Sequence, residues 1–384
     1  MFRAIRSSLT TSRTQQVAGS RAHILWTRQE STEARVPLLL FDIANKQTEF
    51  SFQRAQNQSS LSIQSSFSPN TIRSRLALHY KGLKYTQSWI SYPDIERLWK
   101  ELKILPNDNQ GKGAPRCTLP VLLLRTDSFP QDSLERLDEA NVSGVEKPVQ
   151  TNYGVFTPVV STLSIATVLD ILFRKQDAFR PLFPTPQSFD QAQEVQSIIT
   201  RLLPAMRILL IPSVPDILDA RGREYFIRTR RQWFNVSSLD ELRPKSEKEM
   251  DELWQEVEDV LGPVIRLLGQ SKLQRSPPLN EPPSWDTDHG VCGSAMERRV
   301  ATEGNTRPDR SNVTAYIRYL SGTSTPTYAD FILMAFLAWI ARVDMDMWAR
   351  ITQEIGSGVL KELWMGCLPY MKSHTYVRTL PWFR

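Results

Sequence analysis

The sequence predicts two domains in series, a small mixed α/β domain and then an all-helical one. Three observations carry this reading. Apolar strand-like runs alternate with helical patterns from Val36 to about residue 180. Pro181 to Pro186 then packs three prolines into six residues, the composition of an interdomain linker. From Phe189 onward the periodicities are helical only. A chain of 384 residues, 41% hydrophobic and 23% charged, is long and apolar enough for both domains.

The elements follow in order. Val36 to Asp42 (VPLLLFD) is a short, nearly continuous apolar run, as expected of a buried strand. Lys46 to Ser66 is rich in Gln, Ser and Asn and reads as a surface loop. Ser68 suits a helix N-cap, and Pro69 suits the first helical position. Ile72, Leu76 and Tyr80 follow at a spacing of four, and Gly82 can end that helix. Tyr85 to Ile90 alternates like a second strand. Asp94 to Trp99 reads as a second helix, with Asp94 near its positive end.

Thr118 to Leu124 is a third strand with a proline near its start, which implies an edge, a strand start or a special turn. Arg125 to Phe156 is polar and shows no sustained periodicity. Val159-Val160 forms a short fourth strand. Ser161-Thr162 then caps a helix that carries Ile165, Ala166 and Leu169 on its buried side. In the second domain, helices are expected over Ala192 to Leu210, Pro215 to Gln232 and Ser246 to Leu268. Arg275 to Pro308 reads as a loop. Thr327 and Asp330 have capping-box spacing ahead of the apolar run Phe331 to Ala341. That run is too short to cross a bilayer, so no membrane span is expected.

The bulk numbers exclude several function classes. The net charge of +6 is spread among mixed charges, without the basic, aromatic-interleaved surface of a nucleic-acid binder. Arg228, Arg230 and Arg231 read as a solvated helix face. Cys117, Cys292 and Cys367 are far apart, and His289 with Cys292 makes too small a set for a metal, so no metal is expected. Unpaired thiols point to a reducing compartment. The sequons at Asn57, Asn141, Asn235 and Asn312 come without a secretory signal and read as chance. The first 29 residues hold five arginines and no acidic residue, so residues 1–35 read as a disordered basic tail or a mitochondrial transit peptide. The expected location is the cytoplasm, with the mitochondrion as alternative.

Four segments resemble the glutathione S-transferase family, especially its fungal and bacterial β-etherase-like branch. Ser66 to Leu78 (SFSPNTIRSRLAL), with Lys81-Gly82, resembles the family's catalytic loop and first helix. Thr118 to Val121 (TLPV) resembles its cis-proline strand. Arg221 to Phe226 (RGREYF), with Thr229-Arg230, is similar to a central helix of the branch's second domain. Pro326 to Phe331 (PTYADF) resembles its capping box and core helix, which makes Thr327 and Asp330 structural residues.

The resemblance implies a thioredoxin-like domain over residues 36–180, with insertions at 46–66 and 125–156, and an all-helical domain over 187–370. It also implies glutathione as co-substrate, an electrophilic or ether-containing organic compound as second substrate, a role in secondary metabolism or detoxification, and a homodimer. A free thiol has a pKa of about 8.5, and a hydroxyl donor at a helix N-terminus lowers it. By resemblance Ser68 is that catalytic donor, with Ser66 the fallback. Leu119 and Pro120 would bind the cysteinyl part of glutathione through the Leu119 backbone. Ser161 and Thr162 stand where the family has an acidic residue followed by Ser, and their hydroxyls can hold the γ-glutamyl carboxylate. The acidic side chain for the γ-glutamyl ammonium is missing. The alternative is therefore a non-catalytic binding or assembly module of the same fold. A thiol-disulfide oxidoreductase would need cysteine where Ser68 stands.

Overall fold

A mixed six-stranded sheet organises the first half of the chain. The computed structural model describes residues 36–46, 66–107, 115–151, 154–174, 179–271, 274–275, 316–317, 319–371 and 376–380. The expectations for residues 1–35, residues 47–65 of the Lys46–Ser66 insertion, most of the Arg275–Pro308 loop, His289, Cys292, Asn57 and Asn312 lie outside the described residues.

The chain begins with β1 (Leu38–Ile43), α1 (Pro69–Tyr80), β2 (Tyr85–Ile90), a 3-10 turn (Tyr92–Asp94) and α2 (Ile95–Glu101). β3 (Val121–Arg125), α3 (Gln131–Ala140), β4 (Val149–Thr151), β5 (Gly154–Val160) and α4 (Thr162–Leu172) complete the first half. Every residue of β1 is buried, as its unbroken apolar run requires. β1 pairs parallel with β2 and antiparallel with β3, and β3 pairs antiparallel with β5. A parallel pair needs a crossover, and α1 supplies it.

Helices make up most of the rest: α5 (Pro186–Leu210), α6 (Ala220–Phe234), α7 (Glu247–Gln270), α8 (Tyr328–Val343), α9 (Met345–Ala349) and α10 (Val359–Met371). The short strands β6 (Gln274–Arg275) and β7 (Tyr316–Ile317) pair with each other. β8 (Tyr376–Leu380) extends the sheet parallel to β2, giving the order β4-β5-β3-β1-β2-β8. α8 is buried from Tyr328 through Ile340, so it has no solvent face over that span.

Several elements depart from the sequence reading. The polar stretch Arg125 to Phe156 contains α3, a short, mostly polar helix whose buried residues are Ser133 and Leu137. The fourth strand starts at Gly154 rather than Val159, because β4 pairs with its first half. α6 starts at Ala220, where the Asp219 side chain accepts from Gly222 N; Pro215 lies in the preceding 3-10 segment Ile211–Ile217. Asp94 makes no cap bond to α2 and pairs instead with Arg221 at 2.8 Å. Asn141 and Asn235 have a structural reason: both end helices in the left-handed conformation, at φ 44° and φ 54°. Pro186–Ile217 is long and apolar enough to cross a membrane by length and composition, but 56% of its apolar window is buried inside the protein, as in a core helix.

All described residues belong to one unit, and the sheet and the helices share a single hydrophobic core. Polar contacts reinforce the join. Lys81 Nζ donates to Asp170 Oδ1 at 2.7 Å and to the Arg180 carbonyl at 2.8 Å, tying the end of α1 to α4 and to the proline-rich segment. Asp170 also accepts from the amides of Leu182 and Phe183. Ser91 Oγ donates to Asp219 at 2.7 Å, and Gly222 fits beside that carboxylate because a Cβ there would lie 2.4 Å from Asp219 Oδ1.

Candidate functional site

Strand register brings distant residues to one end of the sheet. Phe41 pairs with Val121, and Val121 pairs with Val160, so Leu119-Pro120 and Ser161-Thr162 enter and leave neighbouring strands side by side. The end of β1 lies at the same edge. α1 connects parallel β1 to parallel β2, so it runs back along the sheet from a start at this edge, which places Ser66 and Ser68 there too. The Leu119–Pro120 peptide is cis. Ser161 is exposed and holds φ 74°, ψ 136°, a conformation that L residues adopt at a cost of about 1–3 kcal/mol and that clusters at ligand sites.

Ser68 occupies the N-cap position of α1, yet its side chain makes no cap hydrogen bond. An ordinary N-cap serine would commit its hydroxyl to the helix amides. Ser68 is buried, at 5% exposure, as are Ser66 and Leu119. Ser66 belongs to a charged cluster under the loop. Its carbonyl accepts from Arg342 Nε at 3.3 Å, and its hydroxyl faces the fully buried Asp42. Asp42 accepts from Ile43 N at 2.7 Å and Gln87 Nε2 at 3.0 Å, and lies 3.8 Å from the Arg75 guanidinium. Burial pushes the Asp42 carboxyl up to about 6 against the pull of Arg75. The hydroxyls of Ser66 and Thr71 also lower it, though neither completes a hydrogen bond of ordinary geometry.

Thr162 opens α4 and is half-buried. Its carbonyl accepts from the Tyr328 hydroxyl at 2.6 Å, and its Oγ1 accepts from Arg73 Nη1 at 3.4 Å. Arg73 also donates to the Gln196 side-chain oxygen of α5. The helical half of the chain therefore braces the start of α4 from α5 and α8.

Thr327 and Asp330 form the capping box at the start of α8. Asp330 accepts from Leu320 N at 2.8 Å, Thr327 N at 2.8 Å and Thr327 Oγ1 at 3.0 Å. Burial still pushes its carboxyl up to about 6. The arginines of α6 are not a uniform solvated face. Arg230 stacks on Phe226 at 4.5 Å and Trp233 at 5.2 Å, and Arg207 lies over the same Trp233 at 5.0 Å.

Sequence reasoning missed Asp42, Arg73 and Arg342. The one available signal for Asp42 was a carboxylate closing an apolar strand; Arg73 carried none beyond its place in the Ser66–Leu78 segment. Among the described residues no group of three or more metal-ligating side chains comes together. Cys117 and Cys367 are free, and burial pushes both thiols up, away from the low pKa of a reactive thiolate.

Residues 191–304 match the family model for the glutathione S-transferase C-terminal domain. The chain is 27% identical over 309 residues to the glutathione S-transferase-like protein ustS of Aspergillus flavus, covering 80% of this chain and 86% of that one. Among solved structures it resembles glutathione S-transferase CsGST63524 of Ceriporiopsis subvermispora in complex with glutathione. The TM-score is 0.56 at 17% identity, covering 87% of this chain and 97% of that one. It also resembles glutathione transferase GSTFuA2 of Phanerochaete chrysosporium, with a TM-score of 0.54 at 22% identity, covering 88% and 99%. The fold is that of the glutathione transferases, a thioredoxin-like sheet followed by a helical domain, and the family match and the curated relative support a place for this chain in the glutathione S-transferase family.

Proposed function

We propose that this protein is an enzyme that binds glutathione at the sheet edge and conjugates it, through attack of its thiolate, to an electrophilic organic compound or to the carbon of an ether whose alkoxide leaves, in secondary metabolism or detoxification. The observation that carries the reading is Ser68: a buried helix-start serine whose side chain makes no cap bond, at the edge where Leu119-Pro120 and Ser161-Thr162 also arrive. The residues fit the tripeptide in part. Ser68 would donate to the sulfur, and the positive end of α1 would favour the thiolate. The Leu119 backbone would pair with the cysteinyl unit, and Ser161 with Thr162 would meet the γ-glutamyl carboxylate. Ser66 would shape the loop rather than touch sulfur, since its carbonyl is held by Arg342. The second substrate would enter against the helical domain, and the protein would act as a homodimer, as is common for the fold.

One observation favours the non-catalytic reading: Ser161 replaces the acidic residue expected beside Thr162. Calorimetric titration of glutathione into the full chain and into Ser68→Ala separates the two readings. Binding by both proteins, with the ultraviolet thiolate absorbance present only in the parent, supports the enzyme. Binding without a thiolate signal in either supports the module. A folded parent that binds no glutathione overturns the enzyme and leaves the non-catalytic module ahead.

A further inference from the structure

Arg73 is 3% exposed, yet among the described residues no acidic group pairs with it. Its hydrogen-bond acceptors are the neutral Thr162 hydroxyl and Gln196 side chain, and its Nε has no partner. Among the described residues, the ionisable group whose charge acts on it is the Tyr328 phenol, which burial pushes up to about 12 and so keeps neutral at pH 7. A buried cation without a counter-charge is among the costliest arrangements in a protein. The cost is compounded here, because the guanidinium lies against the first residue of the 11-residue helix α4, whose N-terminus carries partial positive charge. Two positive ends meet at Thr162, beside the exposed Ser161, and an anion supplied from solution is the element that would relieve both.

We propose that Arg73 is the specificity-determining residue of the subsite at the N-terminus of α4, where it holds a ligand carboxylate and disfavours a ligand ammonium. This rests on the reading that a glutathione-type thiol binds at this edge. The γ-glutamyl end of glutathione carries both groups. The ligand class that fits best is an acyl-Cys-Gly thiol whose acyl end keeps its carboxylate and for which the ammonium is dispensable.

Three peptides test this by calorimetry on the full chain: glutathione, glutaryl-Cys-Gly (ammonium removed) and 4-aminobutanoyl-Cys-Gly (carboxylate removed). The parent should bind glutaryl-Cys-Gly at least as tightly as glutathione. It should bind 4-aminobutanoyl-Cys-Gly about tenfold or more weakly, the size of one charge-assisted contact. Arg73→Gln should lose about tenfold for the first two peptides and little for the third, and Arg73→Lys should recover most of the loss. Without ligand, Arg73→Gln should unfold at the parent's temperature or above it, because it removes an uncompensated charge. A tenfold loss on removing the ammonium, or an equal loss of all three ligands in Arg73→Gln, would overturn the assignment. If Arg73→Gln does not fold, the three peptides on the parent alone decide the matter. If no peptide binds the folded parent, the transferase reading fails, and glutarate separates the two ideas. Glutarate bound by the parent and lost in Arg73→Gln but largely retained in Arg73→Lys keeps the Arg73 subsite; no binding overturns it as well.

Discussion

The two ends of α1 each bury a basic side chain, and they treat it in opposite ways. At the far end Lys81, 5% exposed, meets Asp170 at 2.7 Å and the Arg180 carbonyl at 2.8 Å, and Asp170 is further satisfied by two backbone amides. Near the sheet edge Arg73, equally buried, faces only neutral hydrogen-bond partners among the described residues. Burial pulls both pKa values down, but at Lys81 the carboxylate pulls back. A compensated ion pair belongs to a lock between the two halves of the chain. An uncompensated cation at the opposite end marks a surface adapted to something not part of the protein.

The largest expected effect breaks the lock. Lys81→Met strands the Asp170 carboxylate against the proline-rich segment and should cost about 3 kcal/mol in denaturant unfolding. A cost under about 1 kcal/mol would erase the contrast between the two ends.

A comparable but pH-limited effect concerns two buried carboxylates. Asp42 near the site and Asp330 in the capping box are both raised from 3.8 to about 6, mainly by burial. A raised acid binds its proton more tightly in the folded state. Each therefore contributes stability that is present below 3.8 and lost as pH rises through about 6. The stability difference between parent and Asp330→Asn, measured by urea unfolding at several pH values, should fall across that window by up to about 3 kcal/mol. A flat difference would mean that the neutral donors around Asp330 fully offset its burial.

The smallest effect sharpens the reading of the α1 start. Ser246 caps α7 through Glu249 N at 3.2 Å, whereas Ser68 makes no cap bond. Ser246→Ala should cost about 1 kcal/mol, and Ser68→Ala under about 0.5 kcal/mol. Equal costs would return Ser68 to the role of an ordinary cap.

Local pattern disclosed much of the fold. The unbroken apolar runs of β1 and β3, the Ser-Pro start of α1 and the Thr-x-x-Asp start of α8 are short-range signals, and each marks its element. α3 escaped notice because it is short and mostly polar, and its buried side is one serine and one leucine. β8 escaped because joining a sheet edge needs backbone groups and no particular side-chain pattern. At the site, Ser68, Pro120 and Ser161 were singled out by resemblance. Their convergence depends on the register Phe41–Val121–Val160, which links residues too far apart for any local pattern to reveal. Arg73 and Asp42 were illegible for another reason: charged residues are read as exposed, and only packing shows that these two are not.

Amide hydrogen exchange with and without glutathione tests the central claim most directly, because it reports where the ligand sits without assuming any reaction. The expected result is protection confined to the start of α1 around Ser66 to Arg73, the Leu119–Val121 segment and the first turn of α4 at Ser161 to Ile165. Protection that falls elsewhere, or none at saturating glutathione on a folded chain, would contradict the assignment of this edge as the glutathione site.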